Sequence, residues 1–239
     1  MTKRTWIILG ATSAIAEQFA HLVAKEHCNL RLVGRDLAQL NLIAQDIQLR
    51  FNVPCEILVC DLTQKTEVLL TLFDSIEGEF DLFMAHSDFT ENDHLTPESI
   101  NDLVKTNVLS TVLLINLYLN LEQNEHHLIY LSSVASCRGR SKNSLYGGTK
   151  AAVEIYLQGL QQAASSTQHI TIAKLGFIDT KQTYGVAGVF YAAPPKQCAQ
   201  ACWNALKNHK KMFYFPKFWF FIMTIIRGLP FFVFKRMGI

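Results

Sequence analysis

The chain has 239 residues, a net charge of +2, 49% hydrophobic residues and 18% charged residues. This length suits one α/β domain, and the composition excludes a disordered, collagen-like or coiled-coil protein. Six cysteines without a Cys-x-x-Cys pair favour reduced thiols over a zinc or disulfide framework. The amino-terminal apolar run ends at Gly10 without a cleavage motif, so a first strand and a cytoplasmic protein are predicted.

Apolar runs and amphipathic segments alternate along the chain. The predicted strands are Thr5–Gly10, Asn29–Gly34, Cys55–Cys60, Phe80–Ala85, His127–Leu131, His169–Leu175 and Met212–Pro216. The predicted helices are Ala14–Glu26, Leu37–Phe51, Lys65–Ile76, Pro97–Leu121 and Ser144–Ala164. Pro194-Pro195 is interpreted as a surface lid. This alternation predicts a doubly wound parallel sheet with ligands at the carboxyl ends of its strands.

The first strand runs through a tight turn into a helix. Free N–H groups and the positive end of that helix would hold an anion there. The candidate phosphate contacts are Gly10, Thr12, Ser13, Ala14 and Ile15. Only Gly10 remains of the glycines usual in dinucleotide turns, so an ordinary strand–helix turn is the alternative.

The end of the second strand bears on the choice of cofactor. Gly34 stands where an acidic residue would bind an adenosine 2′-hydroxyl, and Arg35 follows it. A guanidinium there suits a 2′-phosphate, which favours NADP over NAD. A solvated Arg35 is the alternative, and Asp36 is a further candidate for a ribose contact.

Tyr146 and Lys150 are separated by one helical turn on a predicted helix. Ser132-Ser133 closes the fifth strand upstream, at the edge where ligands bind. Asn107 lies inside the preceding long helix, which is an unusual place for a residue that favours caps and turns. With the Gly10 turn, Asp61-Leu62 and the run 176–180 (Gly-Phe-Ile-Asp-Thr), this pattern resembles the classical short-chain dehydrogenase/reductase family.

The resemblance implies a Rossmann-type sheet of seven parallel strands and nicotinamide-dependent hydride transfer. Tyr146 would protonate the substrate oxygen, Lys150 would lower the pKa of Tyr146 and bind the cofactor ribose, and Ser133 would hold the carbonyl oxygen. Asn107 would position a water that relays the proton. The remaining cofactor contacts implied are Asp61, Leu62, Ala85, His86, Gly176, Ile178 and Thr180.

Two departures from the family pattern concern the cofactor side. Residues 85–88 read Ala-His-Ser-Asp where the family has Asn-Asn-Ala-Gly, and Leu175 replaces a proline. We interpret His86 as a structural or cofactor-edge residue rather than an acid–base group.

Within the family, the chain is similar to the decaprenylphosphoryl-2-keto-pentose reductase subgroup. The resemblance rests on residues 10–16, the pair Ala85-His86, Ser132 to Ala135 with Arg138-Gly139-Arg140, residues 176–180, and the tail from Phe218 to Arg236. It implies reduction of a lipid-linked keto-sugar in cell-envelope synthesis, with a flavin oxidase as partner.

The carboxyl-terminal tail differs in charge from the rest of the chain. After Asp179 there are nine Lys or Arg residues and no Asp or Glu, and residues 212–239 contain ten aromatic side chains. The longest uncharged run, Phe218–Ile226, is far shorter than the ~20 residues that span a bilayer. Basic and aromatic residues together favour peripheral contact with an anionic membrane. An arm buried against a dimer partner or over the substrate lid is the alternative, and nucleic acid is disfavoured.

The predicted organisation is a domain over residues 1–211 followed by a last strand and an arm over residues 212–239. A homo-oligomer, either dimer or tetramer, would form through the helices at Pro97–Leu121 and Ser144–Ala164. Two other functions stay open at this point: a soluble reductase of a small ketone, and a non-catalytic dinucleotide sensor.

Overall fold

The computed structural model describes residues 4–63, 69–180, 183 and 191–237. Seven parallel strands form one sheet: β1 (Thr5–Leu9), β2 (Asn29–Gly34), β3 (Cys55–Val59), β4 (Phe80–Met84), β5 (His126–Ser133), β6 (Gln168–Leu175) and β7 (Met212–Phe215). Their order across the sheet is β3-β2-β1-β4-β5-β6-β7. The predicted doubly wound sheet of a single domain is confirmed.

Eight α-helices are described around this sheet: α1 (Ala14–Lys25), α2 (Leu37–Phe51), α3 (Pro97–Val104), α4 (Ser110–Leu119), α5 (Ser144–Ala163), α6 (Pro195–Lys207), α7 (Phe218–Gly228) and α8 (Phe231–Arg236). Helices α1, α2 and α6 pack on one face of the sheet, and α4 and α5 pack on the other. Strands β1 and β4 are buried at every residue because both faces are covered. Their apolar sequences follow from that burial.

Two predicted helices differ from the structure. The helix predicted over Pro97–Leu121 ends at Leu119 and contains a π-helical turn at Lys105–Leu109 between α3 and α4. The helix predicted over Lys65–Ile76 falls partly on residues 64–68, which lie outside the described residues. In the described part, a 3₁₀ turn at Thr71–Phe73 follows two helical residues, so this helix ends earlier than predicted.

Helix α6 was not predicted, and the interpretation of Pro194-Pro195 as a surface lid was wrong. Pro195 begins the helix, where a proline lacks only an N–H that would be unpaired in any case. The buried face of α6 contains Cys198, Ala199, Cys202, Trp203 and Leu206. These apolar residues recur at helical spacing, so the sequence contained a usable signal for this helix.

The carboxyl-terminal segment folds back onto the domain. Trp219, Met223, Ile226 and Phe234 form a third apolar cluster with Val134, from the turn that follows β5. The predicted arm therefore packs over the carboxyl ends of the central strands rather than projecting from the domain. We call α7 and α8 together (residues 218–236) the arm.

All six cysteines are free thiols, in agreement with the sequence pattern. Among the described residues, one helical stretch, Pro97–Leu119, has a length and composition compatible with crossing a membrane. Its residues Leu103, Leu114 and Tyr118 are buried in the domain.

Candidate active site

A cleft of about 1060 Å³ opens at the carboxyl ends of the strands. In the sheet, β1 lies between β2 and β4, so the segments that follow β1 and β4 leave the sheet in opposite directions. The cleft lies at this point, where the strand order reverses. The cleft brings together all the predicted site residues except Asn107, whose side chain does not line it: Gly10, Thr12, Ser13, Ala14, Ile15, Arg35, Asp61, Leu62, Ala85, His86, Ser133, Tyr146, Lys150, Gly176, Ile178 and Thr180.

The turn after β1 has the geometry of a phosphate site. Gly10 has φ of 73°, and a Cβ at this position would lie 2.7 Å from the backbone nitrogen of His86. Only glycine fits that close approach of two backbone segments. Ser13 caps α1 by accepting a hydrogen bond from the N–H of Ala16, which leaves other N–H groups of the first turn facing the cleft. The residues present therefore fit a dinucleotide, although two of the usual glycines are absent.

The other end of this cofactor site carries Arg35. Its side chain is 67% exposed, and its guanidinium lies 3.5 Å from the carboxylate of Asp88. Asp61 stands nearby with its pKa lowered, chiefly because the N–H of Thr63 donates to its carboxylate. Asp36 is excluded as a ribose contact, because its side chain caps α2 through the N–H of Gln39 and does not line the cleft.

His86 lies beneath the cofactor site and is 7% exposed. Its Nε2 is 2.8 Å from the hydroxyl of Thr111. Burial, together with the charge of Lys150, lowers the pKa of His86 to about 3. The imidazole is therefore neutral near pH 7 and cannot serve as a proton donor there, in line with the structural interpretation of this residue.

Tyr146 and Lys150 lie on α5, which approaches the turn after β5 closely. A Cβ on Gly147 would lie 2.5 Å from the carbonyl oxygen of Ala135, so this glycine allows the helix to sit against that turn. The Tyr146 ring packs edge-on against Phe89, with ring centroids 5.1 Å apart. The Nζ of Lys150 lies 5.9 Å from the centre of the Tyr146 ring, so the two predicted catalytic groups face the same space.

The pKa values of this pair differ from what the family resemblance implies. Burial raises the pKa of Tyr146, and the hydroxyls of Ser87 and Ser133 oppose that rise. Burial lowers the pKa of Lys150 to about 7, and Glu154 opposes that change. Burial therefore dominates the pKa of Tyr146, and Lys150 is itself only partly charged near neutrality.

The two serines at the end of β5 have different roles. Both line the cleft, and the Ser133 hydroxyl accepts from the N–H of Ala135 and lowers the pKa of Tyr146. The hydroxyl of Ser132 instead donates to the carboxylate of Glu154. Neighbouring strand residues point to opposite faces, so only the Ser133 hydroxyl is directed to Tyr146.

Asn107 lies in the π-helical turn and is 1% exposed. Its amide oxygen accepts from the N–H of Asp88, and its amide nitrogen donates to the carbonyl of Asp88 and the hydroxyl of Thr149. Both amide protons are thus used within the protein. These contacts give the side chain a positioning role between the loop after β4 and α5, and they do not support the expected water-holding role.

A buried carboxylate that the sequence patterns did not single out joins the elements around the site. Glu154, one turn after Lys150, accepts from the hydroxyls of Ser132 and Ser136 and pairs with Lys174 at 2.7 Å. Its four-residue spacing from Lys150 was a usable signal. Because Ser136 also donates to the carbonyl of Ser133, Glu154 stabilises the turn that carries the catalytic serine.

The substrate end of the cleft is walled by the arm. Trp219, Ile222 and Ile226 line it together with Val134. A Cβ on Gly176 would lie 1.9 Å from Nε1 of Trp219, so the indole rests directly on this glycine. Sequence analysis missed these wall residues, although their spacing of three, four and seven is that of one helix face.

The comparisons with known proteins agree with this geometry. Residues 4–186 match the family model described as short chain dehydrogenase. An uncharacterized oxidoreductase of Staphylococcus saprophyticus is 29% identical over 214 residues, covering 84% of this chain and 90% of the relative. One of Staphylococcus epidermidis is 28% identical over 188 residues, covering 75% and 80%.

Solved structures share the fold. A short-chain dehydrogenase from Sphingobium yanoikuyae in complex with NADPH has a TM-score of 0.77 at 22% identity, covering 89% of this chain and 88% of its own. A bulky-bulky ketone specific alcohol dehydrogenase from Comamonas testosteroni has a TM-score of 0.77 at 19% identity, covering 90% and 86%. The comparisons support the family but do not support the finer resemblance to the decaprenylphosphoryl-2-keto-pentose reductase subgroup. The chain belongs to the short-chain dehydrogenase family and is an NAD(P)-dependent oxidoreductase.

Proposed function

We propose that this protein is an NADP(H)-dependent ketoreductase that reduces the keto group of a lipid-linked sugar in cell-envelope synthesis. The reductase activity is supported by one observation: Ser133, Tyr146 and Lys150 lie in the same cleft as the candidate phosphate-binding turn at Gly10. The lipid-linked sugar is supported by the resemblance of the chain to the decaprenylphosphoryl-2-keto-pentose reductases. A flavin oxidase that forms the ketone would then be its partner enzyme.

NADP is favoured over NAD by the environment of Arg35. The contact of Arg35 with Asp88 is at the outer limit of a hydrogen bond, and the side chain is mostly exposed. A guanidinium held this loosely can turn to a 2′-phosphate, which it binds with two parallel hydrogen bonds. The structural relative from Sphingobium yanoikuyae is described as a complex with NADPH. NAD remains the alternative cofactor.

The turn at Gly10 and the side chain of Arg35 would hold NADPH, which when bound would supply a hydride to the carbonyl carbon. The Ser133 hydroxyl holds the carbonyl oxygen by a hydrogen bond. Tyr146 donates its phenolic proton to the same oxygen as negative charge develops there. The raised pKa of Tyr146 keeps the phenol protonated in the resting enzyme, which suits the direction of reduction.

Lys150 stabilises the phenolate that proton transfer leaves behind. Its Nζ donates to the carbonyl of Leu131 at 2.9 Å, which fixes the amine at the floor of the cleft. With a pKa of about 7, Lys150 can gain a proton as the phenolate forms, so its charge responds to that of Tyr146. The same amine can bind a ribose hydroxyl of the cofactor.

An amphiphilic substrate is favoured by the wall of the cleft. Trp219, Ile222 and Ile226 form an apolar surface in the cleft that also holds the catalytic residues. A small polar ketone would leave this apolar surface exposed to water, whereas an amphiphilic substrate would cover it. The structural relative from Comamonas testosteroni is described as specific for bulky-bulky ketones, which is consistent with a large substrate. A bulky ketone without a lipid is the second candidate substrate and is supported by the same wall.

The outer surface of the arm suits an anionic membrane. Phe221 and Phe232 are each 67% exposed and Phe231 is 71% exposed, whereas Trp219 on the inner surface is 4% exposed. Arg227 and Lys235, in the last turns of the two helices, add positive charge. Exposed aromatic side chains among basic ones favour the headgroup region of an anionic leaflet. We propose that the protein is cytoplasmic and peripheral to the inner face of the plasma membrane, and the outer surface of the arm supports the membrane contact.

A homo-oligomer is supported by apolar side chains left exposed on α3 and α5. Ile100 and Val104 are each 40% exposed and Ile155 is 70% exposed. Leu109, in the π-helical turn between α3 and α4, is 51% exposed. A second copy that packs on these helices would cover that surface, which is a common way for such patches to be buried.

NADPH oxidation measured with two sets of substrates tests the proposal. Prenyl-phosphate keto-sugars should be reduced with a kcat/KM at least tenfold above that of simple ketones such as cyclohexanone. Reduction of simple ketones at an equal or higher kcat/KM would replace the lipid-linked substrate with the small-ketone alternative. An absence of NADPH oxidation with both sets would contradict the proposed ketoreductase.

A further inference from the structure

Two arginines separated by one residue have different environments, and only Arg140 lines the cleft. Arg138 donates hydrogen bonds to the carbonyls of Ile226 and Leu229, at the end of α7, and its guanidinium lies 4.0 Å from the centre of the Phe234 ring. Arg138 therefore holds the arm in place. The guanidinium of Arg140 has one hydrogen-bond contact among the described residues, 3.8 Å to the sulfur of Met223.

Arg140 is a partly buried cation that forms no ion pair with any described residue. Glu91, a described acidic residue on the same rim, does not pair with it. Burial lowers the pKa of Arg140, yet a guanidinium stays charged at physiological pH. Removing such a charge from water is unfavourable unless an anion compensates for it.

The position of Arg140 in the cleft indicates that the compensating anion belongs to a ligand. Arg140 lines the same cleft as Tyr146, and so do Trp219 and Ile222 of the apolar wall. A ligand in the substrate end would thus meet a guanidinium and an apolar surface together. The guanidinium fork matches the oxygens of a phosphate or carboxylate group.

We propose that Arg140 binds an oxyanion of the substrate, whose adjoining apolar part lies along Trp219 and Ile222. This assignment rests on the proposed reductase function and adds a charge requirement to its substrate. A phosphate or carboxylate is bound at the rim, while the keto group reaches Ser133 and Tyr146. Neutral ketones of the same size then lose the contact with Arg140 and bind more weakly.

The test measures binding of octyl phosphate to the NADP⁺-saturated protein by titration calorimetry, so no turnover is needed. Octyl phosphate should bind at least tenfold more tightly than either 1-octanol or inorganic phosphate. Arg140→Met should weaken octyl phosphate at least tenfold and leave 1-octanol unchanged. Arg50→Met, on α2 outside the cleft with a side chain that is 65% exposed, is the matched control and should bind octyl phosphate as the parent does.

Two further readouts keep the result decisive. Arg140→Met should keep or raise the thermal midpoint, because it removes an unpaired, partly buried cation. Arg140→Lys, which keeps the charge without the fork, should show intermediate affinity and serves if the methionine variant does not fold. Equal octyl phosphate affinity in the parent and the Arg140 variants would overturn the assignment. If binding depends on Arg140 but no keto-sugar is reduced, the lipid-linked substrate fails while the oxyanion site stands.

Discussion

The amino-terminal and carboxyl-terminal regions of this protein form the two ends of one cleft in different ways. In the first region, residues close in sequence stabilise each other: Ser13 and Asp36 each cap a helix through a residue three positions later. In the second region, the contacts join distant residues, such as Arg138 with Ile226 and Gly176 with Trp219. The cofactor end therefore depends on local sequence, whereas the substrate end depends on how the arm packs.

The largest expected effect concerns the residue where the two ends meet. Tyr146→Phe removes the proton donor but keeps the ring and its packing against Phe89. The kcat for ketone reduction should fall about 10³-fold, which corresponds to about 4 kcal/mol in the barrier. The Kd for NADPH, measured by fluorescence titration, should stay within about twofold, since the phenol oxygen is the only group lost. Unchanged kcat would remove Tyr146 from catalysis.

The next effect tests the outer surface of the arm. Phe221→Asp combined with Phe232→Asp should weaken binding to phosphatidylglycerol vesicles, measured by sedimentation, at least about 100-fold, because each exposed ring contributes about 1.5–3 kcal/mol when buried in lipid. Reduction of a water-soluble ketone should be retained, since neither ring lines the cleft. Leu49→Asp on α2, where the leucine is 87% exposed, is the control. Equal sedimentation of the parent and double variants would contradict membrane docking.

A smaller effect is expected at the cofactor end. Arg35→Asp should lower the ratio of kcat/KM with NADPH to that with NADH about tenfold, through loss of the charge-assisted contact and repulsion of the 2′-phosphate. Steady-state kinetics with both cofactors measures this ratio. Arg50→Asp, at the far end of α2, provides the comparison. A ratio that does not move would place Arg35 outside the cofactor site.

The smallest effect concerns stability beneath the cofactor site. The pKa of His86 is about 3 in the folded protein against an ordinary value of 6.5, so below pH 6.5 the unfolded chain binds more protons. As the pH is lowered from 6.5 towards 3, the free energy of unfolding should therefore decrease by up to about 1.4 kcal/mol per pH unit. His86→Gln should flatten this dependence in urea titrations between pH 6.5 and 4.5, whereas substitution of the exposed His94 should not. If the free energy of unfolding of His86→Gln depended on pH as steeply as that of the parent, burial of His86 would not be the cause of the dependence.

Much of the fold and of the cofactor site could be predicted because both leave signals among residues that are close together in the sequence. The β2 strand and α2 helix have the predicted boundaries, since apolar period and caps are local signals. The lowered pKa of Lys150 could not be predicted, because it depends on how deeply the folded protein buries the amine. The contacts of Asn107 could not be predicted either, because its partners Asp88 and Thr149 are distant in sequence.

The sequence by itself determined the seven strands, the helices α1, α2 and α5 and the Tyr146–Lys150 spacing, because hydrophobic periodicity acts over a few residues. The tertiary structure decided that Gly10 meets the backbone of His86, that Glu154 joins the turn after β5 to β6, and that the arm walls the substrate end. These features depend on strand register and on packing between residues far apart in the chain. Neither leaves a periodic signal in the sequence, since both arise only when the sheet and helices come together.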